Sequence, residues 1–279
     1  MDIKFHCDSE HNFKSKNQKV RAFLYTDYSI PSHNHEFYEM NIVLGGSGTH
    51  KIENASFSVS SGDVFVIPPD TVHAYCDTQN LDVYHILLHK KFISENRKEA
   101  EKIPGFLELI EIEPFLRQHF PEAYFLHLST SQLMQLKTEL VFIEEHGSFD
   151  KEEFSPLKTH TTLKILYWLS SLLFSQIHNK VKKSKYEQAI IKSLEFIHKN
   201  YNEKITIDDL CSMIFLSRST FLRNFQNICG CTPSQYINKY RSKKARELMS
   251  NSQLSKTEIA HECGFYDLSH MEKILKAVL

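Results

Sequence analysis

The spacing of apolar residues changes once along this chain, and that change limits the fold more than any other feature of the sequence. Up to about residue 90 the apolar residues come in short alternating runs, the period of a half-buried strand. Glu39-Met-Asn-Ile-Val-Leu44 leads into Gly45-Gly-Ser-Gly48, Phe57-Ser-Val-Ser60 into Ser61-Gly62-Asp63, and Val64-Phe-Val-Ile67 into Pro68-Pro69. Val83 to Leu88 is one more apolar run. Four of the eight glycines stand at 45, 46, 48 and 62, where hairpin turns are expected to need them. Short strands divided by turns predict a β-barrel or sandwich over residues 1–90.

From about residue 91 the spacing becomes helical. Leu133, Leu136, Leu140 and Ile143 share one face of a predicted helix from Ser131 to Glu145. A second helix opens at Pro156 and runs through Ile177, with Leu163, Leu166, Leu169, Leu173 and Ile177 as its stripe. Such a stripe serves either the core of its own domain or a homodimer contact, so residues 91–180 are expected to be a helical extension and dimerisation region. Asn179 to Lys185 is polar and basic and reads as a linker.

Residues 186–279 are helical with repeated punctuation. Ile190, Leu194 and Ile197 mark one amphipathic helix. Thr206 caps a short helix with two aspartates in its first turn, Phe215-Leu-Ser217 is a turn, and Ser217 caps the next helix, which Gly230 stops. This is a helix-turn-helix. It recurs: Ser255 to Cys263 is a short helix, Gly264-Phe265 the turn, and Asp267 to Leu279 a second helix, with Ser234 to Met249 connecting the two motifs. The expected class is α+β, a β-barrel with helices followed by an all-α tandem helix-turn-helix domain.

A formal net charge of −1 from 33 Lys and Arg against 34 Asp and Glu argues at first sight against a nucleic-acid partner. The total conceals two unlike halves. Residues 1–179 carry 16 basic against 24 acidic residues, a balance of −8, and residues 180–279 carry 17 against 10, a balance of +7. Arg218 to Arg246 holds seven basic residues and no acid. A basic half beside an acidic one fits a polyanion as partner of the second. The longest apolar run, Ile165 to Ile177, is too short for a membrane helix, so no membrane partner is expected. No charged-then-apolar leader opens the sequence, and the six cysteines show no disulfide spacing, which reads as a cytoplasmic, reduced chain. Cys229-Gly-Cys231 reads as two small residues at a helix end rather than a metal site.

On the helix from Arg218, Phe221, Phe225 and Ile228 share the core face, and the opposite face presents Arg218, Ser219, Leu222, Arg223 and Gln226. A polar helix after a tight turn can enter a major groove, with Arg223 on guanine and Leu222 against a thymine methyl. Arg218, Gln226 and the cluster from Lys239 to Arg246, including Lys243 and Lys244, suit phosphates. Ile205 to Lys276 resembles the tandem helix-turn-helix domain of AraC-type transcription regulators. Leu210, Ser217, Phe221, Arg223, Phe225, Gly230, Pro233, Tyr236, Arg241, Ala245, Leu248, Ile259-Ala260, Gly264-Phe265 and Ser269 carry the resemblance. It implies double-stranded promoter DNA and RNA polymerase as partners. Met271 and Leu275 stand where the family usually has Phe, and the chain stops at Leu279. The second motif, whose readers would be Leu268, Ser269, Glu272 and Lys273, is therefore expected to be truncated and weakened.

In the acidic half, His33-Asn-His35 is followed by Glu39 and later by His73. His33 and His35 are two apart and share a strand face, which Glu39 keeps if the strand runs through. Three imidazoles and a carboxylate suit a divalent metal, Zn, Fe, Mn or Ni. The spacing resembles both cupin motifs, with Asp70 where Gly is common and Asp77 in place of Asn. The opening of that pattern also resembles the sensor domain of AraC-type regulators, where such residues contact a small effector directly and no cofactor is required. A third reading is a polar interior satisfied by itself. Tyr38 and Tyr75 could stack on a sugar ring, or be core. The sequence thus predicts a DNA-binding transcription regulator, not an enzyme, controlled by a sugar or related metabolite bound at His33, His35, Glu39, His73, Tyr38 and Tyr75. Its rival is a cupin metalloenzyme, an isomerase or dioxygenase, with an accessory helical domain.

Overall fold

The computed structural model describes residues 2–13, 18–119, 126–147, 155–179 and 185–277. The strands are β1 (Phe5–Cys7), β2 (Val20–Tyr25), β3 (Ile30–His35), β4 (Tyr38–Ile52), β5 (Ala55–Ser60), β6 (Asp63–Ile67), β7 (His73–Leu88) and β8 (Leu126–His127). The helices are α1 (Ser9–Asn12), α2 (Lys90–Ala100), α3 (Glu113–His119), α4 (Thr130–Gly147), α5 (Ser155–Asn179), α6 (Lys185–Asn200), α7 (Ile207–Ile214), α8 (Arg218–Cys229), α9 (Pro233–Asn251), α10 (Lys256–Glu262) and α11 (Leu268–Ala277). The chain divides into two units, Met1–Lys180 and Val181–Leu279. Residues 180–184 of the expected linker lie outside the described residues.

Two long strands organise the first unit. Tyr38 to Val43 of β4 pairs with Leu88 to Val83 of β7, flanked by β6 and β2, and β8 joins β6. Thr49 to Ile52 of the same β4 pairs with Cys76 to His73 of the same β7, flanked by β5 and β3, and β1 joins β3 in parallel. The two strands therefore belong to both leaves of an open, jelly-roll-like sandwich. No pairing closes the sheet among the described residues, so the expected barrel is an open one.

The physical reason lies at Gly45 to Gly48. The sequence suggested a hairpin turn there, and the structure has a bend inside one strand instead. The register between β4 and β7 shifts three times between Val43 and Thr49. Gly46 has φ 74°, and Asp77 and Asn80 opposite it are also left-handed, at 52° and 46°. A Cβ on Gly46 would stand 2.0 Å from the Asn80 carbonyl oxygen. Extra residues at a bulge bend a strand and change the face it shows. Here the bend lets one strand cross from leaf to leaf.

Both faces of the first leaf are buried. Tyr38 to Val43, Asp63 to Ile67 and Val83 to Leu88 are buried throughout. Glu39, Asn41 and Val43 lie opposite Leu87, His85 and Val83, so these six share one face by register. Met40, Ile42, Tyr84 and Ile86 take the other face, where the Tyr84 hydroxyl donates to the Leu140 carbonyl of α4 at 3.3 Å. Ile165, Leu166, Leu169, Leu173 and Ile177 of α5 are all buried within this unit, while Leu163 is only half-buried. The α5 stripe is therefore core, and a dimer contact on that stripe is corrected. A π-helical turn, Glu108–Ile112, precedes α3, and Arg117 of α3 is buried in a two-point ion pair with Glu113 while also donating to the Val66 carbonyl at 3.0 Å.

In the second unit every short helix begins on a side-chain cap. Thr206 and Asp209, Thr232 and Gln235, and Ser255 and Glu258 form reciprocal capping boxes, and Ser217 caps α8. Phe221, Phe225 and Ile228 are buried as expected. The second motif has its own core of Ala245, Ile259, Ala260, Cys263, Phe265 and Met271, with Leu248, Leu268, Ile274 and Leu275 against it. Met271 is fully buried, so its flexible side chain fills the place where a Phe was expected.

Gly46→Ala is expected to destabilise the first unit by about 2–4 kcal/mol, because the strain of positive φ adds to a backbone clash that no rotamer relieves. Urea denaturation measures this, and a loss under about 0.5 kcal/mol would show that the bend does not need glycine.

Candidate functional site

Glu39 is the one carboxylate in a buried group of imidazoles between the two leaves. Its Oε2 lies 3.0 Å from His35 Nε2 and 3.6 Å from His73 Nε2, and its Oε1 lies 2.6 Å from His85 Nδ1. The rings of His33 and His73 are 4.1 Å apart, and those of His35 and His73 5.1 Å. His50 is 5.8 Å from His73 and stacks on Tyr75 at 4.0 Å. Asn41 Nδ2 donates to the Tyr75 hydroxyl at 3.3 Å. All these residues are less than 5% exposed.

Backbone acceptors fix which nitrogen of two rings carries a proton. His33 Nδ1 donates to the Pro31 carbonyl at 3.0 Å, and His35 Nδ1 to the Phe37 carbonyl at 2.7 Å. A carbonyl oxygen only accepts, so Nδ1 of each ring carries a proton and Nε2 is the nitrogen that faces the group. Burial pushes the His33 imidazole down, a shift only partly opposed by its bond to Pro31 and the charge of Glu39. Burial likewise pushes His73 and His50 well below the usual imidazole range. Burial alone would raise the Glu39 carboxyl, but hydrogen bonds from His35 and His85 and the neighbouring imidazoles outweigh it and hold the carboxyl well below its usual range. His33, Glu39 and His73 offer ligand atoms all within 4.8 Å of one another, so a divalent cation fits those three.

The sequence named four of these residues, and the structure brings His33, Glu39 and His73 together and sets His35 against Glu39. The assumption of one continuous strand is corrected, because β3 ends at His35 and β4 begins at Tyr38. The Glu36-Phe37 turn folds Glu39 back toward the histidines. Tyr38 is also corrected: it precedes Glu39 on a regular strand and so faces the opposite side of the leaf. Tyr75 is in the group, packed against Tyr28 and His50. Sequence reasoning missed Asn41, His50 and His85. The available signal was parity: Asn41 is two residues from Glu39, and His85 interrupts the apolar run from Val83 to Leu88.

In the second unit the turns of the two motifs match. Leu216 N–H donates to the Cys211 carbonyl and Phe265 N–H to the Ala260 carbonyl, so Phe215 and Gly264 occupy the same left-handed step, with φ 54° and 74°. On α8, Arg218, Ser219, Arg223 and Gln226 are exposed and Leu222 is half-buried. Arg218 is paired with Asp208 at 2.7 Å. On α11, Ser269, Glu272 and Lys273 are exposed, but Leu268 packs on the core, which corrects its expected role as a reader.

The basic cluster on α9 is also corrected in part. Lys244 is buried, paired with Glu247 at 3.2 Å and set over the Tyr240 ring, so it does not present a free charge to phosphates. Arg241 donates to the Tyr201 and Glu203 carbonyls, both at 2.7 Å, and Arg246 to the Leu275 carbonyl at 3.2 Å. Lys239 is exposed and Lys243 half-exposed. These contacts brace α9 against its neighbours, a use that no charge count reveals.

Two family models match the chain: an AraC-like ligand binding domain over residues 21–153 and a helix-turn-helix domain over residues 210–279. The chain is 26% identical over 249 residues to the HTH-type transcriptional activator RhaS of Enterobacter sp. strain 638, covering 89% of this chain and 84% of that protein. It is 26% identical over 251 residues to RhaS of Escherichia coli O1:K1, covering 88% and 84%. Among solved structures, ToxT from Vibrio cholerae aligns at 13% identity over 94% of this chain and 95% of that one, with a TM-score of 0.38. An AraC-type transcriptional regulator from Chromobacterium violaceum aligns at 24% identity over 33% of this chain and 81% of that one, with a TM-score of 0.32.

Lys244→Ala is expected to lower the stability of the second unit by about 1–2 kcal/mol, whereas Lys239→Ala stays within about 0.5 kcal/mol of wild type. Equal effects of the two substitutions on urea denaturation would contradict a structural role for Lys244.

Proposed function

This chain belongs to the AraC-type transcription regulators, with a ligand-binding unit ahead of a tandem helix-turn-helix unit, and we propose that a sugar or related metabolite bound among the imidazoles of the first unit controls promoter binding by the second. The regulator modules decide against the metalloenzyme alternative, since the matched relatives are transcription activators. The observation that carries the DNA reading is two capped motifs, each with its own core and an outward polar helix face. Arg223 on α8 is the base reader, with Ser219 and Gln226 beside it; Ser269 and Lys273 serve α11. Effector binding acts by favouring one of two states of the regulator, which requires unequal affinity for them.

RNA polymerase and a second copy of the chain are the further partners in this reading. The α5 stripe is core and so does not supply the contact to a second copy. No helix among the described residues is long and apolar enough to cross a membrane.

The reading includes a divalent metal. His33, Glu39 and His73 would hold it, since their ligand atoms lie within 4.8 Å of one another and all three residues are buried. When bound, the ion would supply a Lewis-acid anchor for an effector oxygen.

Arg223→Ala should cost about 1–3 kcal/mol at one operator base pair and little elsewhere, as read by fluorescence anisotropy on single-base operator variants. The wild-type affinity should fall steeply with salt, and salt-independent or undetectable binding would refute the DNA reading.

After treatment with EDTA, added Zn, Fe, Mn or Ni should raise the melting temperature of wild type, with about 4 kcal/mol of linkage at a thousandfold excess over Kd. His73→Ala should abolish the rise. The metal is excluded if none of the four ions moves the wild-type transition.

A further inference from the structure

Each helix-turn-helix turn carries one aromatic ring that the protein leaves uncovered. Phe215 is 89% exposed and Tyr266 92%, and no other large apolar side chain among the described residues exceeds 67%. A single exposed apolar residue is ordinary. Two in the corresponding turns of a repeated motif call for an explanation. Phe215 also sits in the left-handed region at φ 54°, where a bulky residue is strained, while the second motif places Gly264 at that step. The first turn thus holds an almost unpacked ring where glycine would sit with less strain. Both rings stand just ahead of a recognition helix. Phe215 is two residues before the Ser217 cap of α8. Tyr266 is one residue before Asp267, whose carboxylate accepts from the His270 N–H in the first turn of α11. We infer that Phe215 and Tyr266 are contacts to the sugar–phosphate strand of DNA, Phe215 against deoxyribose and Tyr266 against deoxyribose and a phosphate oxygen. This adds a partner surface to the base readers of α8 and α11 and rests on the DNA reading above.

Position and chemistry set the partner. When the N-terminal residues of a recognition helix lie at base edges, the turn before that helix lies at the rim of the groove, where the sugar–phosphate strand passes. Deoxyribose offers C–H groups there, which suit a ring without polar atoms. The Tyr266 hydroxyl adds a donor for a phosphate oxygen. Free positive charge beside the turns is scarce. Arg218 is held by Asp208 at 2.7 Å, and Glu262, two residues before Gly264, is exposed. Apolar contact therefore supplies affinity at the groove rim that cations do not. A protein partner has no repeat that would call for a ring in both turns. A duplex has one, because it presents the same groove edge again one helical turn along. The strain at Phe215 then has a function: the left-handed step costs stability in the free protein and holds the ring out where a strand of DNA can cover it.

The test is fluorescence anisotropy of the full chain on a labelled duplex of about 30 base pairs, long enough for two groove segments and selected from a random pool with the wild-type protein. Phe215→Gly removes the ring and relieves the strained φ. Its melting temperature should equal or exceed that of wild type, while its affinity for the duplex falls about tenfold. Tyr266→Ser should lose about tenfold as well, with Tyr266→Phe in between, and the double variant Phe215→Gly with Tyr266→Ser about a hundredfold. A contact to sugar releases no counterion and reads no base. The Phe215→Gly loss should therefore be the same at every salt concentration and on every single-base variant of the duplex. A Phe215→Gly protein that binds within about twofold of wild type overturns the inference, as does a lower melting temperature, which would show that the ring is packed. A loss that changes with salt or with one base pair also overturns it. Unchanged DNA affinity with lost activation of RNA polymerase in vitro would give the rings to a protein partner and overturn it too. If the pool yields no duplex that wild type binds, the DNA reading itself fails, so the two failures are distinct.

Discussion

The Glu39 carboxylate is the feature on which the rest of the first unit depends. A buried carboxylate is tolerated only when paired or hydrogen-bonded, and Glu39 meets that condition with His35 and His85 while His73 faces it. Those partners come from two strands: His35 ends β3, while His73 and His85 stand toward opposite ends of β7. Placing both ends of β7 around one carboxylate requires the strand to change leaf. The bend at Gly46, Asp77 and Asn80 is thus part of the site, although it lies away from the chemistry. The helices complete the same logic from outside, since α3, α4 and α5 bury the outer face of the leaf that carries Glu39.

The two halves of the group have different chemistry because of what their second nitrogen or oxygen touches. His33 and His35 are oriented by backbone carbonyls, so their Nε2 atoms turn inward toward Glu39 and His73. His50 touches aromatic rings instead, Tyr75 on its face and Phe65 at its edge, and keeps both nitrogens available.

The second unit uses charge differently from what its composition suggests. The basic stretch from Arg218 to Arg246 is free of acid, yet Lys244, Arg241 and Arg246 are committed to Glu247 and to backbone carbonyls, and Arg218 to Asp208. The surface left for DNA is smaller and more polar, with Arg223, Ser219 and Gln226 at its centre. In the DNA reading proposed above, such a face would read bases more than it collects phosphates. The paired turns carry a related lesson. Phe215, almost fully exposed, occupies the left-handed step that glycine takes in the second motif, and the 6→1 bond from Leu216 to Cys211 holds it there.

Local signals were legible wherever a residue's neighbours in sequence decide its fate. Cap residues, helix periods, the Gly230 and Gly264 stops and the core face of α8 follow from three- and four-residue spacing, and so the tandem helix-turn-helix and the α+β class were readable from the chain alone. His33, Glu39 and His73 were readable because a turn-rich β segment leaves few other places for them. What sequence spacing could not decide was anything set by long-range register. Whether Gly45 to Gly48 turns or bends, whether Tyr38 faces in or out, whether the α5 stripe meets a partner or its own sheet, and whether Lys244 meets phosphate or Tyr240 each depend on which distant strand or helix lies opposite. His85 joined the site only because β4 and β7 pair in one register, and a slip of one residue would have turned it away from Glu39.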